Sequence, residues 1–356
     1  MQKAILIESS TKKELHSDNY NFIFNKSTGY FMRWGATPED DPDYSPFGPE
    51  IADIEVSTIC SGVEGIGPCK FCYKSNTKNG KNMSFETFKK LFEKLKKTPV
   101  MQIAFGIGNV TGNPDLWDIF QYCRNNGVIP NVTVNGEGIT DEIADKLISL
   151  CGAIATSIYD KNKSYDTVKK FTDRGLTQAN IHQVIYRENF DFVKGVINDI
   201  KTDSRLEKLN AIVFLSLKPK GRGKNCNFTP LSQEQFNELI KMAEDTGINY
   251  GMDSCSAGRY IKSIENNPRK EELLQMIEPC EACRMSSYIN VDGIFFPCSF
   301  MEEEKTENAG DWSTGLDAVN CNDFLKDIWY NEKTVAFRNA CIKCVNNGGG
   351  CLHYKI

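Results

Sequence analysis

The sequence predicts an α/β protein built on a parallel sheet, followed by a smaller cysteine-rich region. Three observations lead there. Between residues 51 and 217 six strand-like runs alternate with helical stretches, which implies right-handed crossovers onto one parallel sheet. The run Ala211-Ile-Val-Phe-Leu215 is apolar throughout, as a strand buried on both faces requires. After Tyr250 this regularity fades and cysteines accumulate, eight of the fourteen in the chain.

Residues 1–50 stand apart as an extension. Tyr20-Asn-Phe-Ile-Phe24, Asn25-Lys-Ser-Thr-Gly29 and Tyr30-Phe-Met-Arg-Trp34 read as strand, turn and strand. The acidic, proline-bearing link 38–43 then leads to Ser45-Pro-Phe-Gly-Pro49. A hairpin and strap covering one end of the sheet is the simpler reading; an edge for docking substrate is the other. The six strands read at 51–57, 101–105, 130–134, 152–158, 179–186 and 210–217. Ser84 is placed to cap a helix whose Phe85, Phe88, Leu91, Phe92 and Leu95 form one apolar stripe. Asn113-Pro114 reads as a cap followed by proline at the first helical position. Ser232 and Gln235 form a capping box before Phe236, Leu239, Ile240 and Ala243. The division is thus 1–50, 51–250 and 251–356.

The chain has 356 residues, 40% of them hydrophobic and 25% charged, with a net charge of −5. No global field favours nucleic acid or an anionic membrane. The first eight residues hold too short an apolar run for a signal peptide, and no run approaches membrane-spanning length. A cytoplasmic protein is expected. Fourteen cysteines without a secretion signal favour metal sites over disulfides, and with three histidines imidazole-based zinc chemistry is disfavoured.

The first cysteine group is Cys60-Ser-Gly-Val-Glu-Gly-Ile-Gly-Pro-Cys69-Lys-Phe-Cys72-Tyr73, directly after the first strand. Its C-x2-C pair can reach one metal, and three glycines and a proline suit a loop wrapped around a bulky centre. Three thiolates are one fewer than a closed zinc or iron–sulfur site uses. Zinc binding, or three unrelated thiols, remains the alternative at this point.

This loop resembles that of the radical S-adenosylmethionine (radical SAM) enzymes, with C-x8-C-x2-C in place of their commonest C-x3-C-x2-C. The resemblance implies a partial (βα)6, TIM-like barrel. It also implies a 4Fe–4S cluster on Cys60, Cys69 and Cys72 whose open iron binds S-adenosylmethionine, and reductive cleavage of that molecule to a 5′-deoxyadenosyl radical. In such sheets ligands gather at the carboxyl ends of the strands. Phe71 stands where the family places an aromatic beside the adenine. Phe105-Gly106-Ile107-Gly108-Asn109, after the second strand, resembles the family's Gly-Gly-Glu-Pro segment, with Asn109 in the place of the glutamate. Gly106, Gly108 and Asn109 are therefore cofactor-binding candidates. The same stretch fails the dinucleotide pattern, because Thr111 stands where a third glycine belongs. Ser157 and Gln183, near later strand ends, and Arg222, in the basic segment Lys218–Lys224, complete the candidates. Arg222 is expected to pair with a carboxylate of cofactor or substrate. His182 is expected to be a packed histidine.

In the last quarter, Cys255 precedes Cys280-Glu-Ala-Cys283, and Cys298 follows a hairpin signal at Asp292-Gly293. Cys321, Cys341-Ile-Lys-Cys344 and Gly348-Gly-Gly-Cys351 end the series. This region resembles the SPASM/Twitch extension of radical SAM enzymes, which implies one or two auxiliary 4Fe–4S clusters held within this set. A zinc ribbon is the alternative. Cys123, Cys151 and Cys226 are expected to be ordinary thiols. By analogy, the resemblance implies maturation of a ribosomally synthesised (RiPP) precursor peptide, with a flavodoxin or ferredoxin as electron donor and a separate peptide-recognition protein as a further partner. A small-molecule substrate in cofactor biosynthesis is the runner-up, and a non-catalytic zinc-binding interaction protein the reading from another class. The resemblance implies neither a nucleic-acid nor a membrane partner.

Overall fold

The computed structural model describes residues 3–354. It opens with a four-stranded antiparallel meander, β1 (Ile5–Glu8), β2 (Lys12–His16), β3 (Asn21–Asn25) and β4 (Phe31–Trp34). The expected hairpin is β3–β4, in register Asn21 to Trp34; β1 and β2 were not read from the sequence. Leu15, Tyr20, Phe22 and Phe24 bury one face against Met101, Ile129 and Met285. Lys13 Nζ also donates to Val100 O at 2.8 Å, and the Arg33 guanidinium pairs with buried Glu50 at 3.0 Å. These partners precede or open strands of the main sheet, so the meander covers its amino-terminal end.

The main sheet carries seven parallel strands in chain order: β5 (Ile51–Glu55), β6 (Gln102–Gly106), β7 (Ile129–Val134), β8 (Ile154–Ser157), β9 (Ala179–Ile185), β10 (Ala211–Ser216) and β11 (Asn249–Met252). Six are the expected ones. The seventh, β11, is short, exposed at Asn249 and interrupted by Gly251, and it spans residue 250. Six helices lie between the strands: α1 (Phe85–Leu95), α2 (Leu116–Asn125), α3 (Asp141–Leu150), α4 (Lys161–Asp173), α5 (Phe190–Thr202) and α6 (Gln233–Thr246).

Ser84 caps α1 by accepting from Thr87 N, and the Ser232–Gln235 capping box of α6 forms in both directions. The start of α2 differs from expectation. Asn113 lies before the helix, and its Nδ2 donates to Val56 O and Met83 O at 2.7 and 2.9 Å. This side chain thus ties the end of β5 to the entry of α1, while its Oδ1 accepts from Asp115 N at 2.9 Å, capping the turn that leads into α2.

Side-chain alternation gives the sheet its two faces. Ala52, Ile54, Ile103, Phe105, Val132 and Val134 point outward into the helical layer. The inward set includes Asp53, Glu55, Asn131, Thr133, Ser157 and His182, with Ala104, Ala155, Val184, Val213 and Leu215 between them. A closed barrel fills this space with branched apolar layers; here polar groups line part of the lumen.

The sheet does not close on itself. After α7 (Ala257–Ser263) and α8 (Lys270–Leu274), β12 (Ser286–Ile289) pairs in parallel with β5, matching Tyr288 to Asp53. The hairpin at Asp292-Gly293 then leads to antiparallel β13 (Ile294–Phe296). Gly293 adopts φ 77°, where Cβ would be strained. A ribbon of β14 (Glu304–Thr306) and β15 (Gly310–Trp312) follows, then β16 (Leu316–Asp317) beside β13, and α9 (Glu332–Asn346). Phe295, Trp312, Phe324 and Trp329 join the same apolar core as β5 and β6. Among the described residues no helix is long and apolar enough to cross a membrane.

Candidate active site

The three-cysteine loop leaves the carboxyl end of β5. Its base is closed by Thr58 N to Lys81 O and Cys60 N to Thr77 O, each 2.9 Å. Within the long Cys60–Cys69 spacing, Val63 and Gly67 pair as a miniature hairpin, N–H to carbonyl in both directions. Gly62, Gly65 and Gly67 all take positive φ, at 87°, 80° and 77°. The eight-residue insert is therefore a folded turn that only glycine allows. Cys69 and Cys72 are drawn together by Cys72 N to Cys69 O at 3.2 Å. Cys60, Cys69 and Cys72 are all partly exposed toward the mouth. Burial raises the Cys60 and Cys69 thiols above their ordinary value, and a hydrogen bond from Tyr159 works against this at Cys69.

Gly108 is required by contact: a Cβ there would sit 2.1 Å from Ile59 O and 2.6 Å from Cys60 Cβ. Asn109 grips the same loop. Its Oδ1 accepts from Ser61 N at 2.7 Å and Ser61 Oγ at 3.0 Å, and its Nδ2 donates to Gly62 O at 3.3 Å. Gly106 brings β6 against Glu55. These predicted residues do meet at the loop, but Asn109 is engaged with backbone rather than left free for a ligand's amino group.

Arg222 departs further from expectation. Its Nε donates to Cys69 O and its Nη1 to Asn76 O, both at 2.9 Å, while its backbone N donates to Cys72 O at 3.0 Å. The guanidinium fork spans two loop carbonyls instead of a carboxylate. Gly221, at φ 55°, permits this approach, since a Cβ would meet Tyr73 O at 2.3 Å. Cys226 lies on the outer side, its thiol donating to Lys70 O at 3.1 Å.

Phe71 enters an aromatic group that the sequence reading missed: Tyr159 at 6.0 Å between ring centroids, Tyr186 at 5.9 Å and Phe228 at 6.3 Å. The Tyr159 hydroxyl lies beside both the Cys69 thiol and Ser157, so Ser157 reaches the site through Tyr159. Gln183 does not belong to it. On β9 the inward residue is His182, whose Nδ1 lies 3.2 Å from Thr133 Oγ1; Gln183 is buried on the opposite face and donates to Val184 O. A one-residue change of phase reverses the face of a strand residue. Burial pushes His182 down to about 4, so its imidazole is neutral at pH 7.

Below the loop, Lys74 Nζ contacts Glu55 at 3.2 Å, the Tyr288 hydroxyl at 2.7 Å and the Glu302 carboxylate. Asp53 lies one layer deeper with no hydrogen-bond or ion-pair partner among the described residues, and burial raises its carboxyl to about 6. A half-buried carboxylate without a partner in a lumen is a candidate for function. The signal for it was present: Asp53 and Glu55 are acids two residues apart on one face of an apolar strand. A cleft of about 800 Å3 opens at the opposite end, beside Glu8–Ser10 and the end of α2, and none of the predicted site residues lines it.

The carboxyl-terminal cysteines form one nest. Cys255 neighbours Cys351 and Cys280 neighbours Cys341, whose thiol donates to Cys280 O at 3.5 Å; Cys298 is within electrostatic reach of Cys280 and Cys351, Cys283 of Cys298, and Cys344 of Cys280 and Cys351. The glycine run makes the approach possible: a Cβ on Gly349 would lie 2.4 Å from Cys344 Sγ, and one on Gly350 2.7 Å from Cys255 O. Cys321 is a correction to the expected set. Its thiol donates to Ala318 O, and its charged neighbours are Lys94 and three aspartates, not cysteines. Cys123 and Cys151 are buried in the helical layer.

Among the described residues no three donors close tightly enough to hold a single metal ion. A zinc site needs four donors about 2.0–2.3 Å from one centre. The donor chemistry, thiols alone in two groups, fits sulfide-bridged iron.

An open parallel barrel with a three-cysteine loop at its carboxyl mouth, and a second group of cysteines after it, resembles the architecture of radical SAM enzymes. Comparison with known proteins agrees. The chain is similar to the mycofactocin maturase MftC of Mycolicibacterium smegmatis, 29% identical over 55% of this chain and 58% of the relative. The maturase of Mycobacterium tuberculosis is 24% identical over the same shares. The chain thus matches little more than half the length of these curated relatives. Among solved structures, Streptococcus suis SuiB bound to the precursor peptide SuiA superposes with a TM-score of 0.68 at 13% identity, over 94% of this chain and 90% of SuiB. anSMEcpe with bound AdoMet gives 0.56 at 14% identity, over 84% and 83%. No family profile matches the chain. In sequence and fold it resembles the radical SAM peptide maturases.

Proposed function

We propose that the chain is a radical SAM enzyme that modifies a ribosomally synthesised peptide. The observation that carries this reading is a loop of three cysteines with no fourth cysteine beside them among the described residues, held over the barrel lumen. Cys60, Cys69 and Cys72 would hold a 4Fe–4S cluster, which when bound would supply reductive cleavage of S-adenosylmethionine. The chain's own residues shape that site. Gly108, Asn109 and Arg222 fix the loop, Phe71 with Tyr159, Tyr186 and Phe228 offers an apolar wall for a nucleobase, and the lumen receives substrate. Glu55, Lys74, Tyr288 and Glu302 lie where a peptide side chain enters.

Peptide substrate is supported by the relatives: a mycofactocin maturase, and SuiB crystallised with a precursor peptide. Residues 51–250 supply the barrel and 251–356 the auxiliary region. The single nest of seven cysteines supports one auxiliary 4Fe–4S cluster. A flavodoxin or ferredoxin as donor, a separate peptide-recognition protein and a cytoplasmic location complete the reading.

The test is anaerobic. Purified protein should be brown, contain iron and sulfide, and release 5′-deoxyadenosine from S-adenosylmethionine with dithionite. Coexpression with a short peptide encoded beside it should change that peptide's mass, and Cys60→Ala should abolish both. A colourless protein with stoichiometric zinc would overturn the reading. Turnover of a metabolite, with no neighbouring peptide altered, would overturn the substrate class.

A further inference from the structure

The strand-end segment Lys218–Lys224 reaches both cysteine sites. Arg222 grips the catalytic loop, as described. Four residues earlier, Lys218 turns the other way and is buried, with 5% of its surface exposed. Its ammonium pairs with Asp253, lies 4.9 Å from the centre of the Phe300 ring, and faces the thiols of Cys255, Cys351, Cys298 and Cys280. Lys220, two residues on, donates to Glu302 O at 2.6 Å and pairs with Glu304 at 3.2 Å, so the segment is fixed on both sides of Lys218.

A buried ion pair is a weak source of stability, and packed apolar residues often do as well or better. A lysine retained at such a position needs another account, and the four thiols it faces supply one. Bound to iron, those thiolates make a negative centre, and reduction adds another electron. A fixed cation stabilises the reduced form and a fixed anion the oxidised form, because net charge and the surroundings of the sulfurs set an iron–sulfur potential.

Resting on the auxiliary-cluster reading above, we infer that Lys218 and Asp253 are positioning residues that set the reduction potential of the auxiliary cluster, the ammonium raising it and the carboxylate lowering it.

The experiment uses the full chain carrying Cys60→Ala, Cys69→Ala and Cys72→Ala, so that the auxiliary centre alone is titrated. Its midpoint potential is followed by electron paramagnetic resonance in this background, then with Lys218→Met and with Asp253→Asn added singly. Lys218→Met should lower the reduced-to-oxidised ratio at a fixed potential about tenfold, which is about 59 mV for one electron. Asp253→Asn should raise it by a similar factor. Iron content should match the parent in both. A merely structural pair would move both variants in the same direction or neither, and either result overturns the inference. Absence of any iron–sulfur signal in the parent triple variant would overturn the auxiliary-cluster reading itself.

Discussion

Arg222 separates two accounts of the same residue. The family resemblance implies a contact with a carboxylate; the geometry shows a clamp, with two guanidinium hydrogen bonds of 2.9 Å on Cys69 O and Asn76 O. Hydrogen bonds to a charged group contribute about 1.5–3 kcal/mol each. Arg222→Met removes both, and water replaces part of what is lost at this partly exposed position, so about 3 kcal/mol is a fair net figure. That corresponds to about a hundredfold larger population of the opened loop. The assay is iron release to a chelator from reconstituted protein, alongside the KM for S-adenosylmethionine in 5′-deoxyadenosine formation. Arg222→Met should release catalytic-site iron about a hundredfold faster. Arg222→Lys, which keeps the charge but reaches one carbonyl, should release iron about tenfold faster than the parent. Unchanged iron release with a large rise in KM would refute the clamp and restore the carboxylate contact.

Two further outcomes follow from the same geometry. Gly108→Ala places a Cβ 2.1 Å from Ile59 O and 2.6 Å from Cys60 Cβ, contacts no flexible side-chain end can relieve; iron analysis should show loss of the catalytic cluster with the auxiliary iron retained, and full iron occupancy would contradict the contact. Asp53, raised to about 6 from an ordinary 3.8, favours the fold in its neutral form, so its contribution is fully present at low pH and is lost as pH rises through about 4 to 6. Asp53→Asn should therefore stabilise the protein at pH 8 by about 1–3 kcal/mol, with lumen water reducing the full value, and the gain should vanish near pH 4 in chemical denaturation. An Asn variant less stable than the parent at pH 8 would show the carboxylate to be paired.

Local signals were legible wherever physics is local. Ser84 and Ser232 each announce a helix by a hydrogen bond three residues long. Asp292-Gly293 announces a turn, because Gly293 alone tolerates its dihedral. The three-cysteine loop is legible because its ligands are adjacent in sequence. The misreadings have equally physical causes. Gln183 and His182 differ by one residue, and the phase of a strand is fixed by what packs on each face, which composition does not reveal. Arg222 carries the right charge for a carboxylate, but its partners are backbone carbonyls about 150 positions away, which no side-chain pattern marks. Cys321 fits a cysteine series by spacing alone and is removed from it by the path of the chain after β16.

The largest feature hidden from the sequence is how the third part joins the second. β12 pairs with β5 across 235 residues, Ser286 opposite Ile51, a contact with no local signature. Its consequence is chemical as well as structural. An unpaired β5 edge would be an open template for aggregation. With β12 in place, the edge is covered and Tyr288 stands beside Asp53 and Glu55. Glu302, carried by the chain after β13, completes the contact with Lys74, which follows the last cysteine of the catalytic loop. The lumen wall is therefore assembled from both parts, and the Lys218–Lys224 segment ties the two cysteine sites from the opposite edge. A cysteine-rich region joined in this way is part of the lumen wall, and its charge and packing act on whatever the barrel holds.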